Sequence, residues 1–164
     1  MIIMQIYNPS MQTDVESCFE ACMTALGWGY QPHGRHSDIL DIEGVYIRYG
    51  RFWCLFDDDK LVGMVAVHSI DDANKIAELK RLYLLPEYQG NGYGEMLFKS
   101  ALDYAKEQGY EVLRADTQRG RAASRHLMEK HRFRQIERYN QNEFAELYYE
   151  LDLIKYESEE PRCP

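Results

Sequence analysis

Ile76-Ala77-Glu78-Leu79-Lys80-Arg81-Leu82-Tyr83-Leu84-Leu85-Pro86-Glu87-Tyr88-Gln89-Gly90-Asn91-Gly92-Tyr93-Gly94 is the stretch that decides the fold. Its first half, 76–85, is an apolar, strand-like run closed by Pro86, which cannot continue a ladder. Its second half places glycines at 90, 92 and 94. Beyond them Tyr93, Met96, Leu97, Ala101, Tyr104 and Ala105 recur at helical spacing until Gly109 stops the pattern. Glycines allow positive φ and let backbone N–H groups approach a ligand closely. A helix N-terminus adds unpaired N–H groups and the positive end of a dipole. Strand, glycine turn and helix together predict a phosphate or pyrophosphate site. It is not the nucleotide P-loop, because no Lys follows Gly94. It is not the dinucleotide fingerprint either, because the order is Gly-x-Gly-x-Gly and it follows antiparallel strands.

Working outward, residues 2–7 read as a first strand, broken by Asn8-Pro9-Ser10. Thr13-Asp14-Val15-Glu16 has capping-box form, and Met11, Val15, Cys18, Phe19, Cys22 and Leu26 continue as a helix that Gly27 ends. Residues 28–50 fit either a short helix or a folded loop around Ile39, Leu40, Ile42 and Tyr46. Strands over 52–56 and 61–69 flank a hairpin turn at Asp57-Asp58-Asp59-Lys60. After the glycine turn and its helix come a strand at 111–116, a helix at 121–131, and strands at 133–139 and 146–153. The pattern predicts an α/β protein with a mixed sheet of about seven strands and about four helices. Residues 1–156 are expected as one domain, and 157–164, polar and proline-containing, as a short flexible tail.

Composition narrows the function. The chain has 164 residues, 45% of them hydrophobic, with thirteen Tyr, which excludes a disordered or fibrous class. Nineteen basic against 27 acidic residues give a net charge of −8, which argues against nonspecific nucleic-acid or membrane partners. The four cysteines show no CxxC pair and no zinc spacing, so a reducing, cytoplasmic setting and no metal are expected. The N-terminus lacks the form of a signal peptide, and no apolar run is long enough to span a bilayer. The five His, at 33, 36, 68, 126 and 131, read as structural or surface residues.

Gln89, Gly92 and Gly94 match Gln/Arg-x-x-Gly-x-Gly/Ala, and in this the chain resembles the GCN5-related N-acetyltransferases (GNAT). Two further stretches carry the resemblance. Residues 77–88 look like that family's fourth strand, and His126-Leu127-Met128-Glu129-Lys130-His131-Arg132-Phe133 looks like its L-Y-E-K-x-G-F segment. A narrower likeness is to small-molecule acetyltransferases with E-L-K-R-x-Y before the loop. Their Y-x-N … Y-x-E-L ending is met here by Tyr139-Asn140-Gln141-Asn142 through Tyr148-Tyr149-Glu150-Leu151. The resemblance implies acetyl-CoA as cosubstrate, lying where strands four and five splay apart, and a small-molecule amine acceptor arriving from the opposite side. It assigns Leu82, Tyr83 and Leu84 to the acetyl and pantetheine groups through backbone, and Gln89, Gly90, Asn91, Gly92, Tyr93, Gly94 and Glu95 to the pyrophosphate. It leaves open a monomer or a homodimer.

The catalytic residues are less plainly marked. Glu78 is the candidate general base that takes a proton from the attacking amine; the competing view is a surface Glu paired with Lys80, its neighbour on one strand face. Tyr30, Tyr46, Arg81 and Tyr149 are candidates for the acceptor side, against ordinary core or surface roles. Met128 and Arg132 depart from the family pattern, standing where Tyr and Gly are usual. A thioether donates no proton, so Tyr139 is the candidate replacement acid. The alternatives to a small-molecule N-acetyltransferase are a non-catalytic acyl-CoA-binding module and an enzyme that acetylates proteins.

Overall fold

The structure is a computed structural model that describes residues 1–159. Seven strands form one mixed sheet in the order β1-β2-β3-β4-β5-β7-β6. The chain divides into two compact units, Met1–His68 with Arg81–Ala101, and Ser69–Lys80 with the residues from Leu102 onward.

In the first unit β1 (Ile2–Ile6) pairs antiparallel with β2 (Gly50–Asp57), from Ile2↔Asp57 to Ile6↔Trp53. β2 turns through Asp58 and Asp59 into β3 (Lys60–Asp71), with Asp58 at φ +50°. The predicted hairpin is therefore present, and its strands are longer than the apolar runs alone suggested. Helix α1 (Gln12–Ala25) buries Val15, Cys18, Phe19, Cys22 and Met23, the stripe that three-and-four spacing dictates. Its start differs from the capping-box expectation. Thr13 lies inside the helix and Met11 is the N-cap. The cap role falls to Asn8, whose side chain accepts the Ser10 N–H at 3.0 Å and opens a 3-10 turn over Pro9–Met11. Asn followed by Pro is the stronger start signal, because Pro suits the first helical position. The ambiguous segment resolves into a 3-10 turn, Ser37–Leu40, and a π-helical turn, Glu43–Ile47, that sinks Tyr46 into the core.

Strand β4 (Ile76–Leu84) gives its first residues to the second unit and its last to the first. The 3-10 turn Pro86–Tyr88 and the glycine loop follow, then α2 (Tyr93–Glu107), which buries Leu97, Phe98, Ala101, Leu102 and Ala105. Where β3 lies beside β4 and against α2 there is no room for a side chain at Gly63. A Cβ on Gly63 would stand 2.8 Å from Leu84 Cδ1 and 3.0 Å from both Leu97 Cδ1 and the Tyr83 carbonyl oxygen.

In the second unit β4 runs parallel to β5 (Val112–Thr117), from Ile76↔Val112 to Glu78↔Arg114. β5 pairs along its whole length with β7 (Leu147–Asp152), and β7 pairs with β6 (Arg134–Ile136). β6 is shorter than the expected 133–139, because the chain leaves the sheet after Ile136 to bring Tyr139 and Asn140 to Glu78. Helix α3 (Ala122–Lys130) ends in a Schellman pattern: Phe133 N–H reaches the Met128 carbonyl and Arg132 N–H the Glu129 carbonyl. Arg132 thereby takes φ +64°, the conformation that explains a usual Gly there. A last helix, α4 (Leu153–Glu159), was not foreseen. It takes in 157–159 of the expected tail, and 160–164 lie outside the described residues.

Candidate active site

The glycine loop is built by the strand before it and the helix after it. Tyr88 and Gln89 N–H groups bond back to the Leu85 and Pro86 carbonyls, which turns the chain out of β4. Gln89 Nε2 then donates to the Leu84 carbonyl at 3.0 Å, tying the loop to the strand end. Asn91 Nδ2 donates to the Gln89 carbonyl at 3.2 Å. The turn is steadied from the hairpin: Lys60 pairs with Glu87 at 3.0 Å, and the Tyr88 hydroxyl donates to Asp57 at 3.1 Å. Gly90 and Gly92 adopt φ +79° and +82°, and no atom lies within 4 Å of where a Cβ on Gly90, Gly92 or Gly94 would stand. The three glycines therefore face open space. The first helical bond of α2 joins Met96 N–H to the Gly92 carbonyl, so the N–H groups of Tyr93 and Gly94 have no intrahelical acceptor.

A second constellation lies in the other unit. Glu78 is only 4% exposed, which removes the view of it as a surface residue. Its Oε2 accepts from the Tyr139 hydroxyl at 2.6 Å and from Asn140 Nδ2 at 3.1 Å. Asn140 Nδ2 also reaches Asp116 Oδ2 at 2.6 Å, and Asn142 Nδ2 reaches Asp116 Oδ1 at 3.2 Å. Lys80 Nζ stands 3.5 Å from both carboxylates, Glu78 Oε1 and Asp116 Oδ2. The two carboxylates, Glu78 buried and Asp116 nearly so, are thus met by Lys80, Asn140, Asn142 and Tyr139, as burial of charge requires. Burial first, and then the charge of Glu78 and the bond to it, push the Tyr139 hydroxyl well above the usual tyrosine pKa. Beside this cluster Arg114 lies over the Tyr139 ring at 5.2 Å and pairs with Glu150 at 2.9 Å, while Arg134 holds the other Glu150 oxygen at 2.8 Å.

The residues expected on the acceptor side divide. Tyr30, Tyr46 and Arg81 gather in the first unit; Tyr149 lies buried in β7 of the second, in register with Ala115 and Gln135. Arg81 grips Asp38 with two bonds, Nε to Oδ2 at 2.7 Å and Nη2 to Oδ1 at 2.6 Å, and the Tyr46 hydroxyl donates to the same carboxylate. Burial works to raise the Asp38 pKa, but the bonds and charge of Arg81 outweigh it and hold the carboxyl below its ordinary value. Tyr30 packs edge-on to Phe19 at 5.5 Å and stacks on His36. Its buried hydroxyl finds no hydrogen-bond partner among the described residues. His36 Nδ1 accepts the Gln31 N–H at 3.0 Å, and burial lowers its pKa to about 4, so the ring is neutral and structural. Met128 is a core residue, 2% exposed.

Sequence reasoning missed four partners. Asp116 carried no signal of its own. Asn140 and Asn142 stood in a quoted motif with Tyr139 without a role, and nothing in the spacing connects Asp38 to Arg81.

Fold and loop together define an acyltransferase-like architecture, and comparison with known proteins gives the family. The model of the Acetyltransferase (GNAT) family matches residues 9–133, and the chain belongs to that family. Human N-acetyltransferase 8 is 31% identical over 86 residues, a stretch covering 49% of this chain and 38% of that protein. The chain thus spans well under half the length of this curated relative. A GNAT-family acetyltransferase from Staphylococcus aureus Mu50 superposes with a TM-score of 0.84 at 19% identity, covering 93% of this chain and 99% of that one. An N-acetyltransferase from Thermoplasma acidophilum, solved in complex with coenzyme A, superposes at 0.68 and 19% identity, covering 93% and 99%. At that identity the two structures speak for the fold alone. No helix among the described residues is long and apolar enough to cross a membrane.

Proposed function

We propose that the protein transfers the acetyl group of acetyl-CoA to the primary amine of a small-molecule or amino-acid-like acceptor. The observation that carries this is the glycine loop: open space at all three glycines, two of them left-handed, at the start of a long helix. Such a loop suits a pyrophosphate, since glycines leave the backbone N–H groups of a helix start open to close approach by a ligand. Family membership supports the same cosubstrate, and the Thermoplasma neighbour holds coenzyme A. Acetyl-CoA supplies an acyl group already activated as a thioester.

The chain's residues then have separate tasks. Gly90 through Glu95 hold the phosphates, with Gln89 fixing the loop to Leu84. The backbone of Leu82, Tyr83 and Leu84 lines the acyl and pantetheine amides, as the family likeness assigns. Glu78 takes the proton that the acceptor ammonium must lose before its nitrogen can attack, directly or through one water. Tyr139 and Asn140 hold Glu78 Oε2, which fixes the carboxylate's orientation. The new C–N bond forms as the C–S bond breaks; the ammonium proton passes through Glu78 to solvent before attack, and the second proton, lost from nitrogen as the neutral amide forms, goes to solvent or to the departing thiolate. Tyr139 is a poor proton source, because its hydroxyl is committed to Glu78 and its pKa is raised. We therefore assign it to positioning the base rather than to protonating the thiolate. A thiolate whose parent thiol has a pKa near 8.5 leaves readily at neutral pH without that help, which is compatible with Met128 in the core.

The test is incubation with acetyl-CoA and a panel of primary amines, reading free thiol and acetylated product. Amine-dependent release of thiol is expected. Binding of CoA by calorimetry with no transfer to any amine would instead make the protein an acyl-CoA-binding module.

A further inference from the structure

Four non-glycine residues among those described have positive φ, and three of them sit at turns or helix ends: Asp58, Lys75 and Arg132. The fourth, Arg81 at φ +55°, lies inside β4. A left-handed residue with a long side chain crowds its own Cβ against the following carbonyl, and inside a strand nothing local favours it. Such strain persists only where surrounding contacts over-determine it. The Arg81 guanidinium is clamped by both oxygens of Asp38, its Nη2 also reaches the Arg35 carbonyl at 3.3 Å, and it lies over the Phe19 ring at 5.2 Å. Asp38 is in turn held by the hydroxyl of Tyr46, itself 2% exposed on the π-helical turn. The segment 37–47, unreadable from sequence, thus folds around one carboxylate whose partner is the kinked residue of β4. Immediately after the kink come Leu82, Tyr83 and Leu84.

We propose that Asp38 and Tyr46 are positioning residues that hold Arg81 in its left-handed conformation, and so set the direction in which the Leu82–Leu84 backbone meets the acyl donor. Arg81 is then the gripped end of a clamp and not an acceptor-binding residue. The inference rests on the acetyl-transfer function proposed above for what the clamp achieves, but not for whether it exists.

The test uses glycine's tolerance of positive φ. Two double variants, Arg81→Gly/Asp38→Asn and Arg81→Ala/Asp38→Asn, both lack the clamp and differ only by the Cβ at the kink. CoA affinity by calorimetry, thermal melting, and kcat with acceptor KM are measured for each. The glycine pair is expected to lie within about threefold of wild type in CoA affinity and kcat. The alanine pair is expected to lose at least about tenfold in both, with acceptor KM little changed. Equal behaviour of the two pairs in CoA affinity and kcat overturns the proposal. A raised acceptor KM in both, with CoA affinity intact, overturns it in favour of Arg81 contacting the acceptor. If the alanine pair does not fold, Tyr46→Phe replaces it: a several-fold fall in kcat at unchanged acceptor KM supports the clamp, and wild-type kinetics overturn it. If the wild-type protein acetylates no amine, the proposed activity falls, while CoA affinity still decides the clamp: Asp38→Asn alone, which keeps Arg81 but loosens its grip, should weaken with the alanine pair, and wild-type affinity there overturns the proposal.

Discussion

Glu78→Gln is the perturbation that bears most directly on the chemistry. The amide keeps the volume of the carboxylate, and its oxygen can still accept from Tyr139 and Asn140 at the Oε2 position. Its NH2 group then faces Lys80 Nζ, 3.5 Å from Oε1, so a donor replaces an acceptor and Lys80 loses the charge of Glu78 while keeping that of Asp116. Lys80 is a quarter exposed, so water relieves part of that loss, and a stability cost of about 1–2 kcal/mol follows for the weakened bond. The fold survives. Basicity is lost entirely, and the rate should fall by roughly a hundredfold, about 2.7 kcal/mol in the barrier. Steady-state thiol release over pH 6–9 reads kcat, and calorimetry reads CoA affinity, which should stay within about twofold because the glycine loop is untouched. A variant with the wild-type rate across that pH range would refute the role of Glu78 as the base. The constellation of Tyr139, Asn140, Asp116 and Lys80 would then be a structural charge network.

Gly92→Leu places a Cβ in the open face of the loop at φ +82°; CoA affinity should fall at least tenfold, about 1.4 kcal/mol, with a cooperative melt lowered only by the roughly 1 kcal/mol that a side chain at positive φ costs. Arg132→Gly and Arg132→Ala share the loss of the side chain and differ in tolerance of φ +64°; chemical denaturation should find the glycine variant more stable by about 1 kcal/mol. Asp38 titrates below its ordinary value in the fold, so the stability it contributes is complete above about pH 4 and disappears as the pH drops through the lowered value. Melting temperatures of wild type and Asp38→Asn should therefore differ at neutral pH and converge on acidification below about pH 4. Met128→Tyr should change kcat by less than about tenfold if thiolate departure needs no acid from the protein.

The glycine loop was legible because its signal is local. Each of Gln89, Gly92 and Gly94 is constrained by its own backbone and by the helix start that follows, and the loop lies where the spacing put it. The succession of elements was legible through periodicity and turns, as the Asp57–Lys60 hairpin illustrates. The site's charge network was not. Glu78 meets partners 62 residues away in Asn140 and, through it, Asp116. That closure depends on β6 ending early, which no local pattern announces. Arg81 and Asp38 are 43 residues apart, joined by a segment with neither clean helical nor strand period. Propensity placed Thr13 as a cap and was overruled by Asn8-Pro9, a competition within a few residues.

The most direct measurement is acetyl transfer itself: wild-type protein, acetyl-CoA and a panel of primary amines, with thiol release matched to the mass of the acetylated amine. The predicted result is one equivalent of thiol per acetylated amine, absent without amine and reduced roughly a hundredfold in Glu78→Gln. Tight binding of CoA with no acetylated product from any amine would contradict the account.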